Sequence, residues 1–218
     1  MSRPGPILVI NPNSNPAVTE GLSHALDPLR LSGAPEIETM TLAEGPFGIE
    51  SQIDSDAVVL PLVSVVRARS DVSALVIACY SDPGLEACRA AASVPVFGMQ
   101  ESGILTALSR GDQVGVIALS TASIARHRRY LRRMGVSERI AGEYALDMSV
   151  DESARGAHVA EALATAGAAL LSGGADVLVL GCAGMAAHRR ALQERLGVPV
   201  VEPVQAAVAM ALGSVLGD

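Results

Sequence analysis

Short runs of branched apolar residues alternate along this chain with longer segments in which apolar positions recur every three or four residues. Strand-length runs occupy residues 7–10, 74–79, 114–119 and 176–182, and a segment with helical spacing follows each of them. Strands that alternate with helices are typical of βαβ units and parallel sheets. The pattern therefore predicts an α/β fold.

The same order of features occurs twice. The offset between the halves is 107 residues at the first strand (7 to 114), 103 at the cysteines (79 to 182) and 104 at the prolines (95 to 199). Such agreement indicates an internal repeat. We expect two similar lobes related by a pseudo-twofold axis, each a small parallel sheet of about four strands flanked by helices, with the site in the cleft between them.

The repeat also predicts how the chain is divided. Residues 1–98 should form the first lobe and residues 99–204 the second, with residues 100–109 linking the lobes. The last segment, residues 205–218, should be a helix that packs back on the first lobe.

Ligands of parallel sheets bind beyond the carboxyl ends of the strands, and in both halves these ends carry small or polar residues. Asn11 and Asn13 lie in a turn-forming sequence, so a purely structural role is equally possible for them. The predicted substrate-binding residues are Asn11, Asn13, Ser14, Tyr80, Ser81, Ser120, Thr121, Ala183, Gly184 and Met185.

Cys79 and Cys182 each end an apolar run, at equivalent places in the two halves. A buried cysteine is most often a small packing residue, which is our interpretation of Cys88 because it lies within a helix and has no counterpart. A thiolate, however, is both a nucleophile and a base. Asp82 suits a helix N-cap and Pro83 the first helical position, so a helix dipole is expected to lower the pKa of Cys79. The two thiols are the predicted catalytic pair.

Composition excludes several kinds of chemistry. All 16 basic residues are arginine, and without lysine neither a pyridoxal phosphate Schiff base nor a Walker P-loop can form. No dinucleotide fingerprint follows a strand, and the three cysteines lack metal-binding spacing. We therefore expect no cofactor and no metal ion.

The net charge of −7 argues against a nucleic-acid partner. The one basic cluster, residues 126–133, is interpreted as a solvated helix face, and the histidines at 24, 127, 158 and 188 as surface or capping residues. Residues 151–152 resemble a helix start.

The chain begins without the pattern of a signal peptide, and the apolar stretch 162–187 is interrupted. The expectation is therefore a cytoplasmic protein without a membrane partner. We also expect a homo-oligomer that acts on a small molecule.

Five segments together resemble the aspartate/glutamate/hydantoin racemase superfamily, and within it the hydantoin and allantoin racemases. They are residues 10–14, 45–51, 76–85, 94–96, and 179–185 with 197–201. The resemblance implies an isomerase that needs no cofactor and inverts an acidic carbon, with one cysteine taking the proton and the other donating one on the opposite face.

Amino-acid racemases of this superfamily resemble Cys-Asn-Thr and Cys-Thr at the two cysteines, whereas this chain has Tyr80-Ser81 and Ala183. Loss of these polar side chains favours a neutral ring, with the C5 carbon of a hydantoin or allantoin as the reacting centre. Hydantoin-type members tend to have Phe-Gly after the first cysteine and Val-Asp-Gly near the end, where this chain has Tyr80-Ser81 and residues 201–203 read Val-Glu-Pro. The accepted side group is therefore left open.

Three other functions are compatible with the sequence. An amino-acid racemase or a malonate-type decarboxylase would belong to the same superfamily, but a decarboxylase needs only one of the two cysteines. A two-lobed protein that binds a small metabolite without turnover needs neither.

Overall fold

The computed structural model describes residues 4–156 and 158–217, which form two parallel four-stranded sheets flanked by helices. The strands are β1 (Ile7–Asn11), β2 (Ile37–Thr41), β3 (Ala74–Ile77), β4 (Val96–Gly98), β5 (Val114–Ala118), β6 (Ile140–Ala145), β7 (Val177–Gly181) and β8 (Val200–Val201). Their order is β2-β1-β3-β4 in the first sheet and β6-β5-β7-β8 in the second. The predicted two-lobed α/β fold is confirmed.

The helices lie between the strands along the chain. They are α1 (Pro16–Ala25), α2 (Gln52–Ala57), α3 (Val59–Ala68), α4 (Leu85–Ala91), α5 (Met99–Leu108), α6 (Thr121–Met134), α7 (Val150–Arg155), α8 (Val159–Ser172), α9 (Arg189–Leu196) and α10 (Pro203–Gly217). Short 3₁₀ helices are Asp27–Leu29, Ser137–Arg139 and Ala183–His188. Residues 1–3, 157 and 218, which fall within the predicted segments, lie outside the described residues.

The central strands are apolar except for Asn11 at the end of β1, as expected for strands that are covered on both faces. In β1 all five residues are buried. Ile7 and Val9 join a core that also contains residues of the second sheet, whereas Leu8 and Ile10 pack on the opposite face within the first lobe. The edge strands β2 and β6 are only partly buried.

The two sheets repeat the same local details. The N–H of Leu75 donates to the carbonyl of Pro95, and the N–H of Leu178 donates to the carbonyl of Pro199, both at 3.0 Å. Ile10 pairs with Ile77 in the first sheet, and the equivalent pair in the second is Ile117 with Leu180. This register brings the end of each first strand beside the strand that leads to a cysteine.

Helices α5 and α10 are exchanged between the lobes. Helix α5 follows β4 yet packs against β7 and β8 of the second sheet, and α10 follows β8 yet packs against β1, β3 and β4. The two helices also pack on each other, where a Cβ atom at Gly103 would lie 2.6 Å from the Cβ of Pro203. The lobes therefore share one core, which fixes how their strand ends face each other.

A buried carboxylate accepts hydrogen bonds from the first turn of each exchanged helix. Asp82 accepts from the N–H groups of Gln100 and Glu101, both at 2.9 Å. Glu202 accepts from the N–H groups of Val204 and Gln205, at 3.1 and 2.8 Å. Burial raises the pKa of both Asp82 and Glu202 to about 7, against the opposing effect of these hydrogen bonds.

Candidate active site

A small cavity of about 30 Å³ lies where the carboxyl ends of the two sheets meet, and both predicted cysteines line it. Six of the predicted catalytic and substrate-binding residues line this cavity: Asn13, Cys79, Tyr80, Ser81, Cys182 and Ala183. Further walls come from Ile49, Leu119, Ser123, Arg126, His127 and Val150. The space can hold one or two water molecules but is too small for an organic ring, so a ligand can enter only if the cavity opens.

Cys79 follows β3 and is half-buried. Burial of its sulfur raises the pKa of Cys79 to about 12, although hydrogen bonds from the backbone N–H and the hydroxyl of Ser81 lower it. The charges of Cys182 and Asp82 raise it further. In this environment the Cys79 thiol is therefore protonated at neutral pH.

Cys182 follows β7 and is buried at the start of the 3₁₀ helix Ala183–His188. Burial raises the pKa of Cys182, the Ser153 hydroxyl and the Gly184 N–H lower it by hydrogen bonding, and the charge of Glu50 raises it. The sulfur lies 3.5 Å from the Ser153 hydroxyl oxygen. The Ser153 hydroxyl also lies 2.7 Å from the carbonyl of Val150, and when it donates to the Cys182 sulfur it stabilises the thiolate.

The prediction that Asp82 caps the helix after Cys79 is wrong. Helix α4 begins at Leu85, its N-cap residue is Gly84, and Pro83 lies before it in a turn. Asp82 instead takes the left-handed conformation, with φ at +43°, and turns its carboxylate toward the start of α5. The predicted lowering of the pKa of Cys79 by a helix dipole is therefore also wrong, because burial dominates and Asp82 adds a negative charge.

Asn11 is buried behind the cavity wall and positions Asn13. Its side-chain N–H donates to the Oδ1 of Asn13 at 2.9 Å and to the hydroxyl of Thr19 at 3.0 Å. The same Asn13 oxygen accepts the N–H of Asn15 at 3.0 Å. These bonds fix the loop that follows β1 at the edge of the cavity.

Besides Asn11, five predicted binding residues lie outside the cavity wall. Ser120 caps α6 in a reciprocal box with Ser123, and Thr121 bonds to Asp147. The N–H of Ser14 donates to the carbonyl of Pro46 at 2.9 Å. Met185 is fully buried in the core.

Gly184 completes that set of five, and it packs against Ser153 so closely that a Cβ would lie 2.2 Å from the hydroxyl oxygen. A side chain at position 184 would therefore push Ser153 away from Cys182. Gly184 contributes its backbone N–H to the Cys182 sulfur instead of a contact with the cavity.

Helix α6 contributes residues to the cavity wall that were predicted to lie on the surface. His127 is 2 % exposed, and its Nδ1 lies 3.0 Å from a carboxylate oxygen of Glu143 on β6. Its ring meets that of Tyr80 edge to face, with centroids 4.9 Å apart. The surface interpretation is wrong for His127 and holds for His24 and His158, which are exposed. The spacing of Ser123, His127 and Leu131, four residues apart, was the available signal for a buried stripe.

Arg126 also departs from the predicted solvated face. It lines the cavity, and its interaction with the Cys79 thiolate opposes the lowering of the Arg126 pKa by burial. One guanidinium nitrogen donates to the carbonyl of Glu50 at 3.1 Å, and its buried Nε has no partner among residues 4–156 and 158–217. Arg128, Arg129, Arg132 and Arg133 are exposed, as expected.

The segment before α2 connects the two lobes over the cavity. Ile49 lines the cavity, the carbonyl of Glu50 accepts from Arg126, and the Glu50 carboxylate accepts the N–H of Val150 at 3.0 Å. Val150 begins α7, whose N-cap Ser149 forms a reciprocal box with Glu152, so the predicted helix start is confirmed. These contacts join the two lobes beside the cavity.

Within the described part of the chain, no group of three or more His, Cys, Asp or Glu side chains is arranged to hold a metal ion. The helices of that part are also too short or too polar to cross a bilayer. The functional groups in the cavity wall are two thiols, one guanidinium, one phenol, one imidazole, one amide, two serine hydroxyls and the N–H groups that follow the strands.

Comparison with known proteins places this arrangement in a family. Residues 7–211 match the model of the family described as Asp/Glu/Hydantoin racemase. A hydantoin racemase from Paenarthrobacter aurescens is 33 % identical over 210 residues, which cover 94 % of this chain and 89 % of the relative.

Solved structures agree with the sequence relatives. An allantoin racemase from Klebsiella pneumoniae superimposes with a TM-score of 0.91 at 30 % identity, over 98 % of this chain and 89 % of that one. An allantoin racemase from Pseudomonas fluorescens gives a TM-score of 0.89 at 29 % identity, over 97 % and 91 % of the two chains. The relatives and neighbours named here are racemases, which are isomerases, and the chain belongs to the Asp/Glu/hydantoin racemase family.

Proposed function

We propose that the protein racemises a hydantoin or allantoin-type ring at its C5 carbon, with Cys79 and Cys182 as the two acid–base groups. The observation that carries the proposal is that two equivalent strand ends, one from each sheet, bring a thiol each to one cavity. Binding alone requires no such pair, and protonation after decarboxylation requires only one thiol.

In the proposed reaction one cysteine, as the thiolate, takes the C5 proton and becomes a thiol. The electron pair left on C5 moves into the adjacent carbonyl, which becomes an enolate. The other cysteine, as the thiol, then donates its proton to the opposite face of C5 and becomes the thiolate. Proton count and charge balance, and the return reaction exchanges the two roles.

Hydrogen-bond donors at the cavity suit the charge that develops on the carbonyl oxygen. The Tyr80 hydroxyl is buried without a partner in the described chain, and Tyr80 lines the cavity. Ala183 presents no polar side chain where an ammonium or α-carboxylate would need one. These features support a neutral ring as substrate over a free amino acid.

The test is loss of optical rotation in D₂O, without added cofactor, measured in parallel on chiral 5-substituted hydantoins, allantoin, aspartate and glutamate. Racemisation of a ring, with deuterium incorporated at C5, is the expected result. Racemisation of aspartate or glutamate alone would move the protein to the amino-acid branch. Unchanged rotation throughout the panel would overturn the proposal.

A further inference from the structure

A polar groove of about 280 Å³ adjoins the cavity on its Cys79 side. Ser81 and Arg126 line both spaces, so the groove begins directly beside the Cys79 sulfur, to which Ser81 is hydrogen-bonded. The rest of its wall consists of Gln52, Ser55, Gln100, Arg129, Tyr130 and Arg133. A group attached to the carbon that faces Cys79 would therefore project into this groove.

Two donors at the groove have no hydrogen-bond partner among the described residues. Gln100 is 1 % exposed, and its side-chain Nε2 is buried and unpaired. The buried Nε of Arg126 is likewise unpaired. A buried donor without a partner destabilises the protein, so a ligand that accepts hydrogen bonds from these groups recovers that free energy.

The charges at the groove are mostly positive. Arg126, Arg129 and Arg133 reach it from consecutive turns of α6. Arg133 lies 3.3 Å from Glu86 in an exposed pair, and Arg129 donates to the amide oxygen of Gln52. Asp82 lies nearby, but its two carboxylate oxygens accept the N–H groups at the start of α5. Glu86 pairs with Arg133, and the charge of Asp54 acts on Arg126, so these carboxylates only partly balance the three guanidinium groups of the groove.

We propose that this groove is the subsite for the C5 substituent and that it selects a substituent carrying a carboxylate. The inference rests on the proposed racemase function and names the substrate class of the same site. A side chain of two or three carbons would leave the ring between the cysteines and place its carboxylate near Gln100 and Arg126. An anion suits this lining because all three arginines and the unpaired amide are donors.

Two substrates of equal size but different charge test the proposal: 5-(2-carboxyethyl)hydantoin and 5-(2-carbamoylethyl)hydantoin. For the unaltered protein we expect kcat/KM to be at least about tenfold higher for the carboxylate, as one charge-assisted hydrogen bond would produce. Equal values, or a preference for the amide, would overturn the subsite and leave the racemase function intact. Failure to racemise either of these substrates or any other hydantoin would instead overturn the function itself.

Substitutions of single arginines on α6 test which of them produce the preference for the carboxylate substrate. Arg129→Gln should reduce the preference for the carboxylate severalfold, mainly through KM. Arg126→Gln should reduce the same preference and should also lower kcat/KM for the amide substrate, because Arg126 lies beside Cys79. Arg132→Gln is the matched control, since Arg132 is exposed on the same helix and lines a different pocket. Equal loss on both substrates in Arg129→Gln, whose side chain is exposed and tolerates change, would contradict the assignment even if Arg126→Gln did not fold.

Discussion

The two cysteine sites can be compared position by position because they lie at equivalent ends of the two sheets. Each sulfur accepts a hydrogen bond from the backbone N–H two residues further along, Ser81 for Cys79 and Gly184 for Cys182, and each also has one serine hydroxyl. The hydroxyl comes from Ser81 itself in the first case, but from α7 in the second, where Ser153 occupies the space that the lack of a side chain at Gly184 leaves open.

The charged surroundings of the two thiols differ more than their backbones. Cys79 lies near Arg126 and Asp82, whereas Cys182 lies near Glu50. The charge of Cys182 also raises the pKa of Cys79, so the two ionise as a coupled pair. The comparison teaches that the repeat preserves the backbone around each sulfur, while the groups that set its ionisation come from unrelated parts of the chain.

Replacement of Cys79 or Cys182 should have the largest effect on the rate of racemisation. Cys79→Ser and Cys182→Ser should each lower racemisation by about 10³-fold or more, because a serine hydroxyl is a far weaker acid–base group than a thiol. Each variant should still exchange the C5 proton of one enantiomer with D₂O, and the two variants should prefer opposite enantiomers. Chiral chromatography combined with mass spectrometry measures both reactions.

Cys88→Ser is the matched control for these replacements. Cys88 is fully buried in α4 and belongs to the core of the first lobe, away from the cavity. Activity per folded molecule should stay near that of the unaltered protein. A fully active Cys182→Ser would refute the two-base scheme.

The rate should also depend strongly on pH. Burial raises the pKa of both thiols above that of a free cysteine, and only a thiolate can take the C5 proton. A thiol with a raised pKa stays protonated as pH increases through neutrality, so kcat/KM should rise by up to about tenfold per pH unit between about pH 6 and pH 8.5. A flat profile in this range would show that a thiolate is already present.

Ser81 and Ser153 allow the contribution of a hydroxyl donor to be compared between the two cysteine sites. Ser81→Ala and Ser153→Ala each remove one hydroxyl donor from a different sulfur, which should raise the pKa of that thiol and lower kcat/KM near neutral pH by about tenfold. The alkaline limb of the pH–rate profile measures the shift. Ser64→Ala, an exposed hydroxyl on α3 that bonds only to its own helix, is the control and should leave the profile in place.

The smallest expected effect is on the pH dependence of the free energy of unfolding. It arises from the two buried carboxylates that accept hydrogen bonds from the exchanged helices α5 and α10. Asp82 and Glu202 have pKa values of about 7 in the folded protein, above the ordinary values of 3.8 and 4.5. Between about pH 5 and pH 7 the folded state therefore holds more protons than the unfolded state, and the free energy of unfolding falls as pH rises, by up to about 1 kcal/mol per pH unit for each group.

Urea unfolding at pH 5 and pH 7 measures this slope. Asp82→Asn and Glu202→Gln should each make it shallower, because the amide cannot titrate. Glu44→Gln replaces an exposed carboxylate and should leave the slope unchanged. A stability that instead rises over this interval would contradict the assignment of a raised pKa to both groups.

Local patterns in the sequence predicted the sheets and the positions of the cysteines. An uninterrupted apolar run is characteristic of a strand covered on both faces, and the repeat implied that equivalent strand ends would meet. The same local reasoning failed at Asp82, because its partners Gln100 and Glu101 lie on a helix 18 and 19 residues away.

Arg126 and His127 show why the rest of the site could not be predicted. They lie in a strongly basic segment typical of a solvated helix face, yet His127 is buried by its pairing with Glu143, and Arg126 is held by the carbonyl of Glu50, which is 76 residues distant. The spacing of Ser123, His127 and Leu131 indicates a buried stripe on α6, but the distant partners Glu143 and Glu50 cannot be identified from the helix alone.

The exchange of α5 and α10 bears on how such a chain could be divided or could have originated. A fragment ending after α5 would contain the first sheet and a helix that covers the second, and the remaining fragment would contain the reverse. Neither fragment could bury both faces of its own sheet, but the two together could rebuild the whole. A single repeat would thus be folded only beside a second copy, and the present chain is equivalent to a helix-swapped dimer whose subunits have been covalently joined.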